Sequence, residues 1–123
     1  MINSNQIRVD IEDLRKICLS MPGASEDIKW ESNLVFSVAN KMFWVTSLDQ
    51  SPISASFKVK EEDFEEMCNM AGFKPAPYLA RNKWVWVDNI SRISLADWKE
   101  YIKISYSLVK EKLPAKLKKE LGL

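Results

Sequence analysis

A chain of 123 residues with a formal net charge of +1, 46% hydrophobic and 28% charged, fits one globular domain burying roughly two thirds of its unfolded surface. Histidine is absent, and there are two cysteines and three glycines. That removes the commonest general base and metal ligand, a structural zinc set and glycine-rich phosphate loops.

The expectation is therefore a protein that is not an enzyme and carries no metal and no cofactor. Met1 to Gln6 lacks a basic segment running into an apolar one, and no stretch nears the roughly 18 apolar residues of a membrane span. A soluble, cytoplasmic protein without membrane contact is expected. Residues 1–73 carry seven basic and twelve acidic side chains, and residues 74–123 carry eleven and five, so a compact fold can set a basic face against an acidic one.

Residues 1–8 read as a flexible extension of a single domain. Asp10 is the N-cap of a first helix with Asp13 as a shortened capping box. Ile11, Leu14, Ile17, Cys18 and Met21 form its buried stripe, and Pro22-Gly23 stops it. Ala24 to Asn33 reads as a polar connection, a surface loop anchored by Trp30. Its carboxylates Glu26, Asp27 and Glu31 are a thin signal for acid-base or metal chemistry.

Leu34–Val38 and Met42–Thr46 are strands rich in β-branched and aromatic residues, joined by a turn at Ala39-Asn40. There asparagine tolerates positive φ more readily than alanine. Beyond Ser51-Pro52, Ile53–Val59 alternates strictly with its odd-numbered positions towards the core. Glu61, Glu62 and Asp63 open a second helix and complement its dipole. Its stripe is Phe64, Met67, Cys68 and Ala71, and Gly72 caps it.

A proline-braced loop leads to a strand over Lys83–Val87. Asp88-Asn89 then turns the chain into a long helix capped by Ser94 and Asp97, with Leu95, Trp98, Tyr101, Ile102, Ser105, Leu108 and Val109 on one face. Pro114 ends it before a short basic helix. This succession gives an α+β two-layer sandwich, an antiparallel sheet covered on one side by helices. Cys18 and Cys68 read as small buried hydrophobes.

Four segments, Leu19-Ser20-Met21-Pro22-Gly23, Lys41-Met42-Phe43, Lys74 to Val87, and Lys112-Leu113-Pro114-Ala115-Lys116-Leu117, resemble the MmcQ/YjbR-like family of small bacterial proteins in order and spacing. The resemblance runs from about Val9 to Leu121. It implies the same two-layer fold, described as a double wing with hairpins projecting from the sheet, and a DNA-binding role. Two turns depart from the family's habit. Ala39-Asn40 and Glu31, the residue after Trp30, stand where glycine is more common.

Lys41, Lys58, Lys74, Arg81 and Lys83 are the candidate nucleic-acid contacts, at turns, strand edges or solvent-facing positions. Such contacts to phosphate fix position without reading sequence, while lysines on edge strands also discourage aggregation. Trp30, Trp44, Tyr78, Trp84 and Trp86 are the candidate aromatic surface or pocket. On a strand, Trp84 and Trp86 share one face and Lys83, Val85 and Val87 the other. That pair is either a stacking or docking platform or core bulk beneath a helix.

Three functions follow. The first is DNA binding, with basic side chains on phosphate and aromatics on bases. The second is a protein-interaction module or homodimer using the aromatic Pro75–Val87 surface. The third is a small-ligand-binding domain whose pocket is lined by Trp30, Trp44, Tyr78 and Trp84. Lys110, Lys112, Lys116, Lys118 and Lys119 read as a solvated helix face, interrupted by Glu111 and Glu120.

Overall fold

The computed structural model describes residues 8–123, so residues 1–7 of the expected N-terminal extension lie outside the described residues. In chain order the elements are α1 (Ile11–Leu19), β1 (Ala24–Lys29), β2 (Asn33–Val38), β3 (Lys41–Ser47) and β4 (Ala55–Lys58). They continue with α2 (Glu61–Cys68), β5 (Phe73–Pro75), β6 (Trp84–Val87), α3 (Leu95–Glu111) and α4 (Ala115–Glu120). The strands form one antiparallel sheet in the order β1-β2-β3-β4-β6-β5. Helix side chains and one sheet face build the core, which gives the expected α+β fold.

Two strands differ from the sequence expectation. Ala24–Lys29 is β1, paired along its length with β2, where a polar connection was expected. Glu26 explains why a strand forms from such polar residues: its carboxylate receives Arg15 Nε at 2.7 Å and Nη2 at 2.5 Å from α1. The other charges of β1 lie on an outer strand, where they discourage further pairing. Strand β5 was hidden because it has three residues and ends in Pro75, which only an edge strand accommodates.

The Arg15 guanidinium holds the Glu26 carboxyl below the usual carboxylate range, first by hydrogen bonding, against the opposing effect of burial. A carboxyl with a depressed folded pKa stabilises the fold above its unfolded pKa, and that stability is lost as pH falls through the folded value. Stability is therefore expected to drop as pH falls from about 5 towards 3. Arg15→Ala should flatten that part of a pH-dependent urea-denaturation series.

Helix α3 crosses the sheet, burying Trp98, Ile102, Ser105, Tyr106 and Val109, whereas Leu95 is exposed. Its N-cap is Ser94, whose Oγ accepts from Asp97 N at 3.1 Å. The register between β2 and β3 shifts after Phe36, so that Phe36 faces Trp44 and Ser37 faces Met42, leaving Phe43 as the extra residue of a bulge. The bulge turns two consecutive aromatics to the helix side. Phe43 meets Tyr106 edge-on at 5.3 Å, and Trp44 meets Trp98 at 5.5 Å.

Strands β3 and β4 pair only from Trp44 to Thr46. Where they part, Ser105 fills the break. Its Oγ accepts from Lys58 N at 2.9 Å and donates to Phe43 O at 2.5 Å. Ser105→Ala leaves both buried backbone groups unpaired and should cost about 2–4 kcal/mol, read as a lower urea midpoint with unchanged slope.

Candidate functional site

In the β4–β6 register Trp84 lies opposite Lys58 and Trp86 opposite Ser56. Val85 and Val87 point into the core. The tryptophan pair therefore shares the face away from α3. Trp84 is nonetheless buried and Trp86 half-buried, because the segment between β5 and β6 folds back over this face. That segment is braced internally, with Ala76 N donating to Trp84 O at 3.0 Å and Leu79 N to Ala76 O at 3.1 Å.

Between this segment and the β1–β2 turn lies a trough of about 490 Å³. Val45, Ser56, Asn33 and Met42 form its floor, with Trp30 on one wall and Pro77, Tyr78 and Leu79 on the other. None of these side chains is charged. The volume falls within the roughly 300–1,000 Å³ of ligand sites. A shallower extension reaches Trp86 past Ser47 and Gln50. Beside it the Asp49 carboxyl is held below its ordinary range, first by the Ser47 hydroxyl and then by Ser32.

The two walls present their aromatics outward. Trp30 is 65% exposed and Tyr78 fully exposed, and both have left-handed backbone, at φ 50° and φ 67°. Glu31 is left-handed as well, at φ 71°, so a glutamate holds the conformation that glycine favours. For an L-residue this costs about 1–2 kcal/mol. The turn is held by Ser32 N donating to Trp30 O at 2.8 Å and Leu48 N to Ser32 O at 2.9 Å. Trp30 thus does not anchor a loop to the body; the loop carries it into solvent.

Of the five candidate basic residues only Lys41 and Lys58 line a common cavity. Lys74 lies over the Trp86 ring, its Nζ 4.6 Å from the centroid. Lys83 is not in the strand: it is left-handed at φ 64°, closing a 3-10 turn over Ala80–Asn82, and its Nζ lies 5.1 Å from the Phe64 ring of α2. Arg81 is exposed within that turn. Lys41 and Lys58 do meet, in a second cavity of about 400 Å³, together with Lys112.

Trp44 has to be removed from the aromatic surface. It is fully buried against Phe36 and Trp98, and its indole N–H has no acceptor among the described residues. The bulge at Phe43 is the reason. Of the four aromatics expected to share a pocket, only Trp30 and Tyr78 do so, while Trp84 lines the lysine cavity. Sequence reasoning missed Met42 as trough floor and Lys112 as part of a site. Neither carries a local signal, because both depend on contacts between distant segments.

Among the described residues no group of three histidine, cysteine or carboxylate side chains could hold a metal ion. Cys18 is buried, and burial pushes its thiol well above the ordinary range. Among the described residues no helix is long and apolar enough to cross a membrane.

No curated protein matches the chain. Among solved structures, a Deinococcus radiodurans protein carrying the DUF419 domain is similar at 29% identity, with 95% of this chain and 91% of that one covered and a TM-score of 0.83. A Pseudomonas syringae protein shares the fold at 14% identity and a TM-score of 0.67, over 82% of this chain and 99% of that one. The YjbR family model matches residues 19–108, and the chain belongs to the YjbR family.

Proposed function

We propose that the chain is a DNA-binding protein, not an enzyme, that takes DNA as a single strand along the trough. The observation that carries this reading is the pair of outward aromatics, Trp30 and Tyr78, held in costly left-handed backbone on opposite walls of an uncharged trough. Strain of this kind persists where surrounding structure enforces it and clusters at binding sites. Exposed rings over a trough stack unpaired bases, each stack contributing about 1–3 kcal/mol. Lys74 beside Trp86 then meets the sugar-phosphate backbone.

A duplex fits less well. Its charged surface calls for cations converging on one face, and here Lys74 lies over Trp86, Lys83 over Phe64 of α2, and Lys41 and Lys58 in the second cavity. Fluorescence anisotropy with labelled oligonucleotides at about 50 mM salt tests the reading. Tighter binding of a single strand than of the matching duplex supports it. Binding to neither strand form, with a rise in apparent mass with concentration, would transfer the aromatic walls to a self-association role.

A further inference from the structure

The lysine cavity joins three segments distant in sequence. Lys41 comes from the β2–β3 hairpin, Lys58 from β4 and Lys112 from the C-cap of α3, with Trp84, Leu79, Met42, Val109, Leu113, Pro114 and Asn82 completing the lining. No lining residue is a carboxylate. Among the described residues the ion pairs are those of Arg15 and Arg92, and none involves these lysines. Three lysines thus line one space whose walls hold no carboxylate.

Lys58 bears the cost of that arrangement. It is 8% exposed, and its Nζ donates one hydrogen bond to Asn82 O at 2.6 Å. An ammonium has three donors, so two remain for the cavity. Burial of an ammonium without an anion is costly. Burial first, and the nearby Lys112 charge second, push the Lys58 pKa down. An anion between the two side chains reverses the second effect and offsets the first.

The cavity and the trough share Met42 and Leu79 in their linings and so lie side by side. We infer that the lysine cavity is a binding site for a phosphate monoester, the terminal phosphate of a nucleotide or of a strand whose first base lies in the trough. A terminal phosphate carries close to two charges near neutral pH, against one for an internal diester, and so matches three lysines better. Indole and aliphatic walls on the other sides suit the sugar next to that phosphate. The terminal-phosphate reading rests on the proposed single-strand mode, whereas anion binding by the cavity does not.

The test has two arms. In the first, inorganic phosphate is titrated calorimetrically into the whole protein, the Lys58→Met and Lys112→Met variants, and Lys116→Met as a surface control. Lys112 is exposed at the end of its helix, so its variant is expected to fold even if Lys58→Met does not. Saturable binding weakened at least about tenfold by Lys112→Met, and unaltered by Lys116→Met, is expected from loss of one charge-assisted contact. No binding up to about 10 mM phosphate, or equal binding by all variants, overturns the inference.

In the second arm, short single strands with a terminal phosphate and with a terminal hydroxyl compete for the protein. A preference of about tenfold for the phosphate, lost in Lys112→Met, is expected; equal affinity overturns the end-recognition claim. Phosphate binding without binding of either strand leaves the anion site standing and removes the single-strand reading. Strand binding without phosphate binding does the reverse.

Discussion

Trp98→Ala is expected to lower the unfolding free energy by about 3–5 kcal/mol and the thermal midpoint by about 10–20 °C. Trp98 is fully buried where α3 crosses the sheet, with its ring edge-on to Trp44 at 5.5 Å and Phe57 at 5.1 Å. Truncation opens a cavity between the layers that neither neighbour fills, since each is sealed by its own contacts. A second loss accompanies it. The indole N–H donates to Ile90 O at 2.8 Å, and without it that carbonyl keeps only the longer bond from Ile93 N at 3.4 Å. Trp98→Phe keeps most of the volume and loses the hydrogen bond, so it should cost only about 1–3 kcal/mol. Urea denaturation followed by far-UV circular dichroism separates the two. A Trp98→Ala loss below about 1 kcal/mol would show that α3 is not keyed to the sheet through this side chain.

The second large effect concerns binding. Replacing both Trp30 and Tyr78 by glycine should weaken single-stranded DNA binding by about thirtyfold, two stacking contacts at the lower end of their range. Glycine is the informative replacement because both positions are left-handed. It removes the ring and relieves the backbone together. Tyr78 is fully exposed and surrenders no packing, so Tyr78→Gly should leave stability unchanged or raise it by about 0.5–1 kcal/mol. A purely structural role predicts the opposite, a stability loss with no change in binding. Anisotropy titrations and thermal melts on the same samples distinguish them.

The segments with strong local pattern were legible in the sequence. Leu34–Val38, Met42–Thr46 and the alternating Ile53–Val59 carry the strand signal in their side chains, and the Asp10 and Ser94 caps accept the hydrogen bonds their positions imply. Strand β1 was not legible, because its stability comes from pairing with β2 and from an arginine on α1 that neutralises Glu26. Trp44 shows the limit of alternation as a guide. A single bulged residue reverses every side chain beyond it, and no local feature of Lys41-Met42-Phe43 marks where the extra residue falls.

The site was legible in part. Trp30 and Tyr78 stood out as aromatics among turn residues, but their meeting across one trough depends on the β5–β6 segment folding over the sheet. The lysines illustrate the converse. Five cations could be picked out by exposure, yet exposure does not say which ones converge. Lys112 looked like one of many on a solvated helix, and the fold places it beside a buried lysine from β4.

The most direct measurement of the central claim is the set of indole N–H resonances of the five tryptophans during titration with a single-stranded oligonucleotide. The account predicts that the Trp30 signal moves and broadens as a base stacks on its ring, with a smaller change at Trp86, while the buried Trp44 and Trp98 stay fixed. A titration that leaves Trp30 unmoved at saturating strand, or that shifts all five signals equally, would contradict it.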